Sequence, residues 1–457
     1  MVRVTWVDNT LAYIDQASFL GLRALGRGPL IQFTWVYDRP VDIDGLRRFH
    51  RNLGHGLLGR LVERSPLPFG RHRWVASTGP VDLDIAAADL PRRDVWTWAD
   101  ERAAMPIDPE FGPQWHLGAQ PLIGGGAAVS LVVSHTIGDG LAICEAVTDA
   151  VNGVRRDLGY PPPSSRARRQ AMAEDARQAV RAIPDMARAV AATVRVARSQ
   201  RDELASSMSS ARARPVTGEA RTVVAPCVVT LVDTGQWDAR AKELGGNGNS
   251  LLAGFAARLG SLLGRTDDAG LVTLSYPVSE RVPGDTRGNA LTEARMKADP
   301  VRVTTDLTEL RTTMKREFAA LREKPNELLE PLPLTPLTPR LLVRRLESMI
   351  VERGAPIGCS NLGDIDPAVN RPDGTDAAFM APRIAESKIT GTILDRSGGL
   401  LFLASSRLAG LVTVTVAAWR PGGENTKGAL REVVIKALGD LGLTGTVEPE
   451  PHGLRKV

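Results

Sequence analysis

The chain has 457 residues, a size well above that at which a single hydrophobic core stops growing, so we expect two or three structural units. Hydrophobic residues make up 43% of the chain and charged residues 24%, a composition that excludes a mainly disordered protein. The net charge of +5 does not indicate nucleic-acid binding, because the arginines are not interleaved with aromatic residues.

The first 160 residues alternate strands with helices. Strands are predicted at 28–36, 68–75, 115–123 and 127–135. The triple glycine at 124–126 predicts a hairpin turn into the last of these strands, and a further helix is expected from Gly140. The helix after the first strand is expected to begin at Asp42 or Asp44, since either side chain can cap it. This region is therefore interpreted as an N-terminal α/β lobe, 1–160.

A segment of different composition follows, and we assign 161–215 as a basic helical linker. It is rich in Ala, Arg and Ser, and Pro184 can begin or kink its helix. One helical stripe is apolar and consists of Ile183, Met186, Val190, Val194 and Ala197. Another stripe is basic and consists of Arg181, Arg188 and Arg195. Either this is a solvated helix lying across two lobes, or 177–198 contacts an anionic membrane surface or an acidic carrier protein.

Strand signals resume after residue 220, so 216–457 is predicted to form a second, C-terminal α/β lobe. Its strands are predicted at 222–232, 271–278, 356–366 and within 399–419. Its helices are predicted at 248–265, 310–321, 341–351 and 428–442. We therefore expect two α/β lobes joined by a helical crossover.

Cofactors, metals and membrane spans are not indicated by the sequence. The cysteines Cys144, Cys227 and Cys359 are far apart and form no CxxC pair, which favours a reducing compartment. No histidine or carboxylate grouping has metal-ligand spacing, and the glycine-rich stretch at 245–249 lacks GxGxxG spacing. No segment approaches the roughly 18 apolar residues that cross a bilayer. We expect a cytoplasmic protein without a permanently bound cofactor or metal.

The most informative stretch is HTIGDG, 135–140, which follows an apolar strand. Two glycines let the loop fold back sharply and hold the imidazole of His135 in one orientation. Asp139 could bind the ring directly or pair with a distant arginine. There is no GxSxG motif, and Cys144 lies within an apolar helical face, so no covalent nucleophile is indicated. His135 is therefore a candidate general base for direct attack of an alcohol or amine on a thioester.

This loop resembles the HxxxDG signature of the acyltransferase superfamily that includes chloramphenicol acetyltransferase and nonribosomal peptide condensation domains. The similarity is greatest to the branch that is wax ester synthase/diacylglycerol acyltransferase-like and condensation-domain-like. Five other stretches occur in the same order along the chain as in that branch. They are DQASFLG from Asp15, DPEFGPQWHL, GNGNSLLA, SYPVSERVPGDTRGN and SNLGDID. Together they cover nearly the whole chain.

The resemblance implies two chloramphenicol-acetyltransferase-like α/β lobes in a V-shaped pseudo-dimer, with His135 between them. It implies that Asp139 is structural and forms an ion pair that shapes the loop before Gly140, and we expect Arg281 to be the partner. The implied co-substrate is an acyl-CoA or an acyl carrier protein thioester. A hydroxyl acceptor is favoured over an amine. The alternatives are a free-standing condensation-type enzyme that forms amides and a non-catalytic scaffold that binds acyl chains or carriers.

The sequence departs from the wax-synthase-like pattern in two places. That branch usually carries a second histidine where this chain has Ser134, and its Asn-Asp pair is here Asn249-Ser250. Because side chains alternate along a strand, Ser134 should point away from the face that carries His135. The candidates for lining the channel or binding an oxyanion are Ser134, Ser275, Asn289, Ser360 and Asn361. Acyl-chain length and acceptor identity depend on the shape of the channel and are not predicted.

Overall fold

The computed structural model describes residues 8–199, 221–323, 329–353 and 356–448. The strands are β1 (Pro29–Tyr37), β2 (Arg60–Glu63), β3 (Arg73–Ala76), β4 (Asp84–Ile85), β5 (Trp115–Pro121), β6 (Ala127–Ser134), β7 (Cys227–Asp233), β8 (Val272–Ser279), β9 (Leu291–Ala298), β10 (Ile357–Asp364), β11 (Phe379–Glu386), β12 (Leu400–Leu408), β13 (Leu411–Trp419) and β14 (Thr446–Glu448).

The helices are α1 (Tyr13–Leu25), α2 (Ile43–Leu53), α3 (Val95–Ala103), α4 (Gly140–Val151), α5 (Arg168–Arg181), α6 (Ile183–Ser199), α7 (Thr234–Glu243), α8 (Gly248–Leu262), α9 (Thr308–Glu323), α10 (Arg340–Arg353), α11 (Gly391–Arg396) and α12 (Lys427–Asp440). The predicted boundary between linker and second lobe, at residues 215 and 216, lies outside the described residues.

The first lobe is built on a sheet with the strand order β11-β1-β6-β5-β4. Its central strands are buried on both faces, which is why AAVSLVVS is an almost continuous apolar run. On one face Phe33 packs with Leu46 of α2 and Ile143 of α4. On the other face Val36 packs with Trp96 of α3. The sheet therefore holds the end of β6, and the loop that follows it, between two covered faces.

Strand β11 comes from the second half of the chain but belongs to the first sheet. It runs antiparallel to β1, from Pro29 opposite Glu386 to Val36 opposite Phe379. The segment 216–457, which is predicted to form the C-terminal lobe, therefore contributes one strand to the sheet of the first lobe. Without β11, strand β1 would be an edge with unpaired backbone groups. The pairing spans most of the chain, and no local pattern in the sequence indicates it.

The second lobe is built on a sheet with the strand order β14-β7-β13-β12-β10-β8-β9. Helix α8 lies against this sheet, and Leu251, Phe255 and Leu259 are completely buried in the core. The helix begins with a capping box in which Asn247 and Ser250 exchange side-chain and backbone hydrogen bonds. The side chain of Ser250 is therefore used to begin this helix.

Helix α5 ties the linker to the first lobe. Asp175 on this helix is completely buried, and its carboxylate accepts hydrogen bonds from Arg73, Arg166 and the Ser65 hydroxyl. A buried carboxylate is stable only when it is paired and hydrogen-bonded in this way. Helix α5 of the linker is therefore fixed to the lobe and is not a free tether.

Helix α6 packs through small residues, Ala189 and Ala192, which are 2% and 1% exposed. The predicted apolar stripe instead faces outward. Its exposed members are Ile183 (55%), Val190 (51%) and Val194 (44%). The side chain of Ala197 lies outside the described part of the structure. Across the described ranges, no helix combines the length and apolar character that spanning a membrane requires.

Candidate active site

His135 lies where β6 ends and the loop to α4 begins, and its side chain is half-buried. The N–H of Ile137 donates to the carbonyl oxygen of Ser134 at 2.9 Å, which turns the chain sharply after the strand. The N–H of His135 donates to the carbonyl oxygen of Pro29, the first residue of β1, at 3.1 Å. The backbone at the histidine is thus fixed by the sheet and by the turn.

The imidazole contacts a residue of the other lobe. Nδ1 of His135 lies 2.8 Å from Oδ1 of Asn289, in the loop between β8 and β9. Nδ2 of Asn289 donates to Oδ1 of Asp15 at 2.9 Å and to the carbonyl oxygen of His135 at 3.1 Å. Both amide hydrogens of Asn289 are therefore in use. Asn289, predicted to line the channel or bind an oxyanion, therefore has no amide hydrogen left to donate to an oxyanion. Its side chain holds the imidazole of His135 instead.

Asp15, in the first turn of α1, anchors Asn289 from the first lobe. The side chain is completely buried, and it accepts the N–H of Gly288 at 2.9 Å and the N–H of Asn289 at 2.7 Å. Burial raises the pKa of the Asp15 carboxyl, although the charge of Arg60 and the hydrogen bonds from Asn289 and Gly288 act in the opposite direction. The stretch DQASFLG contains Asp15, but the sequence alone assigned this residue no role.

Asp139 shapes the loop and does not hydrogen-bond the imidazole. Oδ1 accepts the N–H of Ala142 at 2.8 Å, which caps the N-terminus of α4. Oδ2 accepts from Nη2 of Arg281 at 2.8 Å and from the N–H of Ala290 at 2.9 Å. The side chains of Asp139 and Arg281 are 7% and 8% exposed, so this ion pair between the lobes is buried. The sequence leaves two roles open for Asp139, binding the imidazole or pairing with an arginine. In the structure Asp139 pairs with an arginine.

The loop of the second lobe that carries Arg281 and Asn289 is pressed against the HxxxDG loop. The N–H of Asp139 donates to the carbonyl oxygen of Gly288 at 2.9 Å. A Cβ at position 288 would lie 2.9 Å from the carbonyl oxygen of Thr136, and a Cβ at Gly140 would lie 2.7 Å from Cδ2 of Leu362. Glycine is therefore required at position 288, where a Cβ would meet backbone of the other lobe, whereas a Cβ at position 140 would meet only the flexible end of the Leu362 side chain.

Arg60 completes the contact between the lobes and was not predicted. Its side chain is completely buried, lies 3.9 Å over the ring of Trp74 and donates to the carbonyl oxygens of Thr286 and Ile137 at 2.5 and 2.8 Å. Burial lowers the pKa of Arg60, whereas the charge of Asp15 raises it. Arg281 thus pairs with Asp139, and the charge of the buried Arg60 acts on the buried Asp15.

The other candidates from the sequence have different surroundings. Ser134 is 3% exposed and ends β6. In the second lobe, Ser275 Oγ donates to Glu293 at 2.7 Å, and Asn361 Nδ2 donates to Oδ1 of Asn249 at 2.5 Å. Ser360 is half-buried in β10. The contacts of Ser275 and Asn361 are therefore made within the second lobe.

Cys144 is 7% exposed in α4, and burial raises the pKa of its thiol to about 12, so the thiol is protonated at neutral pH. It is therefore a poor nucleophile. Among the described residues, no group of three or more His, Cys, Asp or Glu side chains is arranged to hold a metal ion.

Comparison with protein-family models and with curated proteins finds no match. Comparison with solved structures finds several that are similar. Polyketide synthase associated protein 5 from Mycobacterium tuberculosis is 15% identical, covers 95% of this chain and 98% of its own, and has a TM-score of 0.53. The first condensation domain of the calcium-dependent antibiotic synthetase, in complex with a substrate analogue, is 17% identical over 95% of this chain and 97% of its own, with a TM-score of 0.58.

The chain shares the fold of condensation domains. A further condensation-domain structure, the first condensation domain of the CDA synthetase, is 14% identical over 96% of this chain and 99% of its own, with a TM-score of 0.54. These similarities extend over the whole two-lobed architecture. The prediction of a mixed α/β fold with two sheet-containing lobes is therefore confirmed.

Proposed function

We propose that this protein is an acyltransferase that moves an acyl group from a CoA or carrier-protein thioester to a hydroxyl or amine acceptor, with His135 as the general base. The observation that carries the proposal is the hydrogen bond between Nδ1 of His135 and Oδ1 of Asn289. The fold shared with condensation domains supports it.

This hydrogen bond defines which nitrogen of the ring can accept a proton. The amide of Asn289 has one chemically sensible orientation, because its Nδ2 faces a carboxylate and a carbonyl oxygen, which only accept hydrogen bonds. Oδ1 must then accept from His135, so Nδ1 carries the hydrogen of the neutral imidazole. Nε2 keeps its lone pair and is the nitrogen that can act as a base.

The proposed reaction needs no covalent enzyme intermediate. Nε2 of His135 removes the proton of the acceptor as its oxygen or nitrogen attacks the thioester carbonyl carbon, and a tetrahedral intermediate forms. The carbon–sulfur bond then breaks, and the imidazolium returns the proton to the departing thiolate. General-base help of this kind typically contributes about 10²- to 10⁴-fold in rate. The protonated thiol of Cys144 agrees with direct attack.

The roles of Asp139 and Arg281 follow from their contacts. Neither hydrogen-bonds the ring, and both hold the loop that presents it. Asp139 begins α4 and joins this helix to the second lobe, while Arg281 also donates to the carbonyl oxygen of Gly288, next to Asn289. We propose that the pair positions His135 and takes no part in proton transfer.

Two acceptor classes remain in the proposal. The resemblance of the sequence motifs to the wax-synthase-like branch favours a hydroxyl and an ester product. The structural similarity to condensation domains favours an amine and an amide product. The second candidate function is therefore amide formation at the same histidine.

Product analysis tests the proposal. Acyl-CoA and acyl-carrier-protein donors are each incubated with a long-chain alcohol or a primary amine, and released thiol and product mass are measured. We expect thiol release that depends on the acceptor, and a loss of about 10²- to 10⁴-fold in His135→Ala. His55→Ala, which removes an exposed histidine, is the matched control and should retain activity. A non-catalytic scaffold would give no acceptor-dependent thiol release with any pair, and that result would refute the proposal.

A further inference from the structure

A cavity of about 260 Å³ lies between strand β11 of the first sheet and the strands of the second sheet. Its walls come from the ends of α3, β7 and β11 and from β12 and β13. The side chains that define its character are mostly apolar and include Ile384, Ile389, Leu394, Phe402 and Ala417. A mostly apolar cavity at the junction of two parts of a fold is the usual form of a small-molecule site.

Lys388, which also lines the cavity, is exposed to solvent. The buried polar groups in the wall are neutral or already paired. Arg383 is 6% exposed, forms an ion pair with Asp100 at 2.5 Å and donates to the side chain of Gln32. Burial raises the pKa of the Cys227 thiol, so this side chain is uncharged at neutral pH. No uncompensated charge among these wall residues calls for an ionic ligand, so the cavity suits an apolar group.

The cavity extends to the end of the sheet that carries the histidine. Pro29 lines it, and the carbonyl oxygen of Pro29 accepts the N–H of His135 at 3.1 Å. Glu386, opposite Pro29 at the end of β11, lines it as well. Because β11, β1 and β6 are neighbours, the end of β11 lies about 10 Å from the end of β6. Elsewhere in the wall the N–H of Val223 donates to the carbonyl oxygen of Ile389 at 2.9 Å.

The volume limits the occupant. A dry apolar cavity of about 150 Å³ accommodates the six carbons of benzene, so about 260 Å³ holds roughly ten carbon atoms. We infer that the cavity receives the hydrocarbon chain of a medium-length acyl donor, roughly eight to ten carbons. This inference rests on the proposed acyl transfer, and it adds the class of acyl group. Donors with longer chains would leave part of the chain without room.

The preference for chain length is the measurable consequence. Each buried methylene should improve kcat/KM about fourfold while the cavity fills. With pantetheine thioesters from acetyl to palmitoyl, we expect kcat/KM to rise to a maximum near decanoyl and then to fall. Pantetheine is common to CoA and carrier donors, so the series does not depend on which of them is natural. A flat series, or a maximum at acetyl, would overturn the inference.

Two substitutions move the maximum in opposite directions. Ala417→Phe places a ring in the cavity and should shift the maximum to shorter chains. Phe402→Ala enlarges the cavity and should shift it to longer chains. Ala319→Phe, on the exposed face of α9, is the control and should leave the maximum unchanged. Thermal unfolding of each variant checks that it is folded. A maximum that stays in place in both folded cavity variants would overturn the inference.

Direct binding separates this inference from the proposed function. Isothermal titration of the wild-type protein with decanoic acid should show binding even if no thioester is turned over. Ala417→Phe should lose this binding, whereas Ala319→Phe should keep it. If decanoic acid binds as expected but no donor reacts, the proposed function fails and the apolar site stands. If decanoic acid does not bind the wild-type protein, the site itself is refuted.

Discussion

Replacing Asn289 by alanine tests how the imidazole is held. The side chain is 3% exposed and makes three hydrogen bonds, to the Asp15 carboxylate, to the carbonyl oxygen of His135 and to Nδ1 of His135. At about 1 kcal/mol for each bond, the free energy of unfolding should fall by about 3 kcal/mol. Without Oδ1 the two neutral tautomers of the ring are no longer distinguished. We expect kcat to fall by about 10²-fold, the lower end of the general-base contribution.

The assay combines kinetics, stability and ring chemistry. Steady-state acyl transfer gives kcat and KM, urea unfolding gives stability, and ¹⁵N NMR of labelled histidine reports the tautomer. In the wild type we expect the hydrogen on Nδ1, and in Asn289→Ala a mixture of tautomers. KM should change little, because Asn289 is not proposed to bind substrate.

Asn370→Ala is the matched control. Asn370 is 1% exposed and donates from Nδ2 to the carbonyl oxygen of Ala377 at 2.8 Å. Its loss should lower stability while leaving kcat and the His135 tautomer unchanged. If Asn289→Ala is folded and keeps the kcat of the wild type, Asn289 does not position the base. If the wild-type ring carries its hydrogen on Nε2, the proposed mechanism is wrong.

Further predictions concern the ion pair, acid stability and the linker. Arg281→Met leaves the Asp139 carboxylate buried without its partner, so the free energy of unfolding should fall by about 3–5 kcal/mol in urea titrations. Burial lowers the pKa of His72 to about 4 from 6.5, so stability is full above pH 6.5 and should fall by about 3 kcal/mol toward pH 4. On α6, the exposed Val190 and Val194 should bind anionic vesicles, and changing both to serine should weaken co-sedimentation.

Each of these predictions has a result that would contradict it. Arg281→Lys keeps a charge, so it should retain more stability than Arg281→Met, and equal losses would argue against the ion pair. His72→Asn can still accept the N–H of Ser65 that Nδ1 accepts at 3.2 Å, and its stability should lose the pH dependence assigned to His72. If the free energy of unfolding depends equally on pH in the wild type and in the variant, His72 is not the cause of that dependence. Co-sedimentation of the Val190→Ser, Val194→Ser protein as strong as that of the wild type would contradict the contact of α6 with vesicles.

Local patterns predicted much of the architecture. The apolar run before His135 is β6, the glycine turn precedes it, and Asp42 caps α2 as one of two predicted positions. These features depend on neighbouring residues, so the sequence contains their signal. The pairing of β11 with β1 depends on residues more than three hundred positions apart and left no local trace.

The residues of the candidate site were likewise predictable from the sequence only in part. The motif order led to His135, Asp139 and Arg281, and the structure places the last two in contact. Arg60 could not be predicted, because an arginine before a short apolar strand usually faces solvent. It is buried here since the carbonyl oxygens of Thr286 and Ile137 meet it only in the folded chain. The sequence predicts Asn289 as a channel or oxyanion residue. It cannot show which groups the amide of this residue meets in the folded chain.

The most direct test of the central claim is the rate of acyl transfer by His135→Ala with and without added imidazole. If Nε2 of His135 is the base, kcat/KM should fall by about 10²- to 10⁴-fold. Free imidazole, entering the space left by the half-buried ring, should restore part of the rate in proportion to its neutral fraction. A folded His135→Ala protein that transfers acyl groups at the wild-type rate would contradict the account.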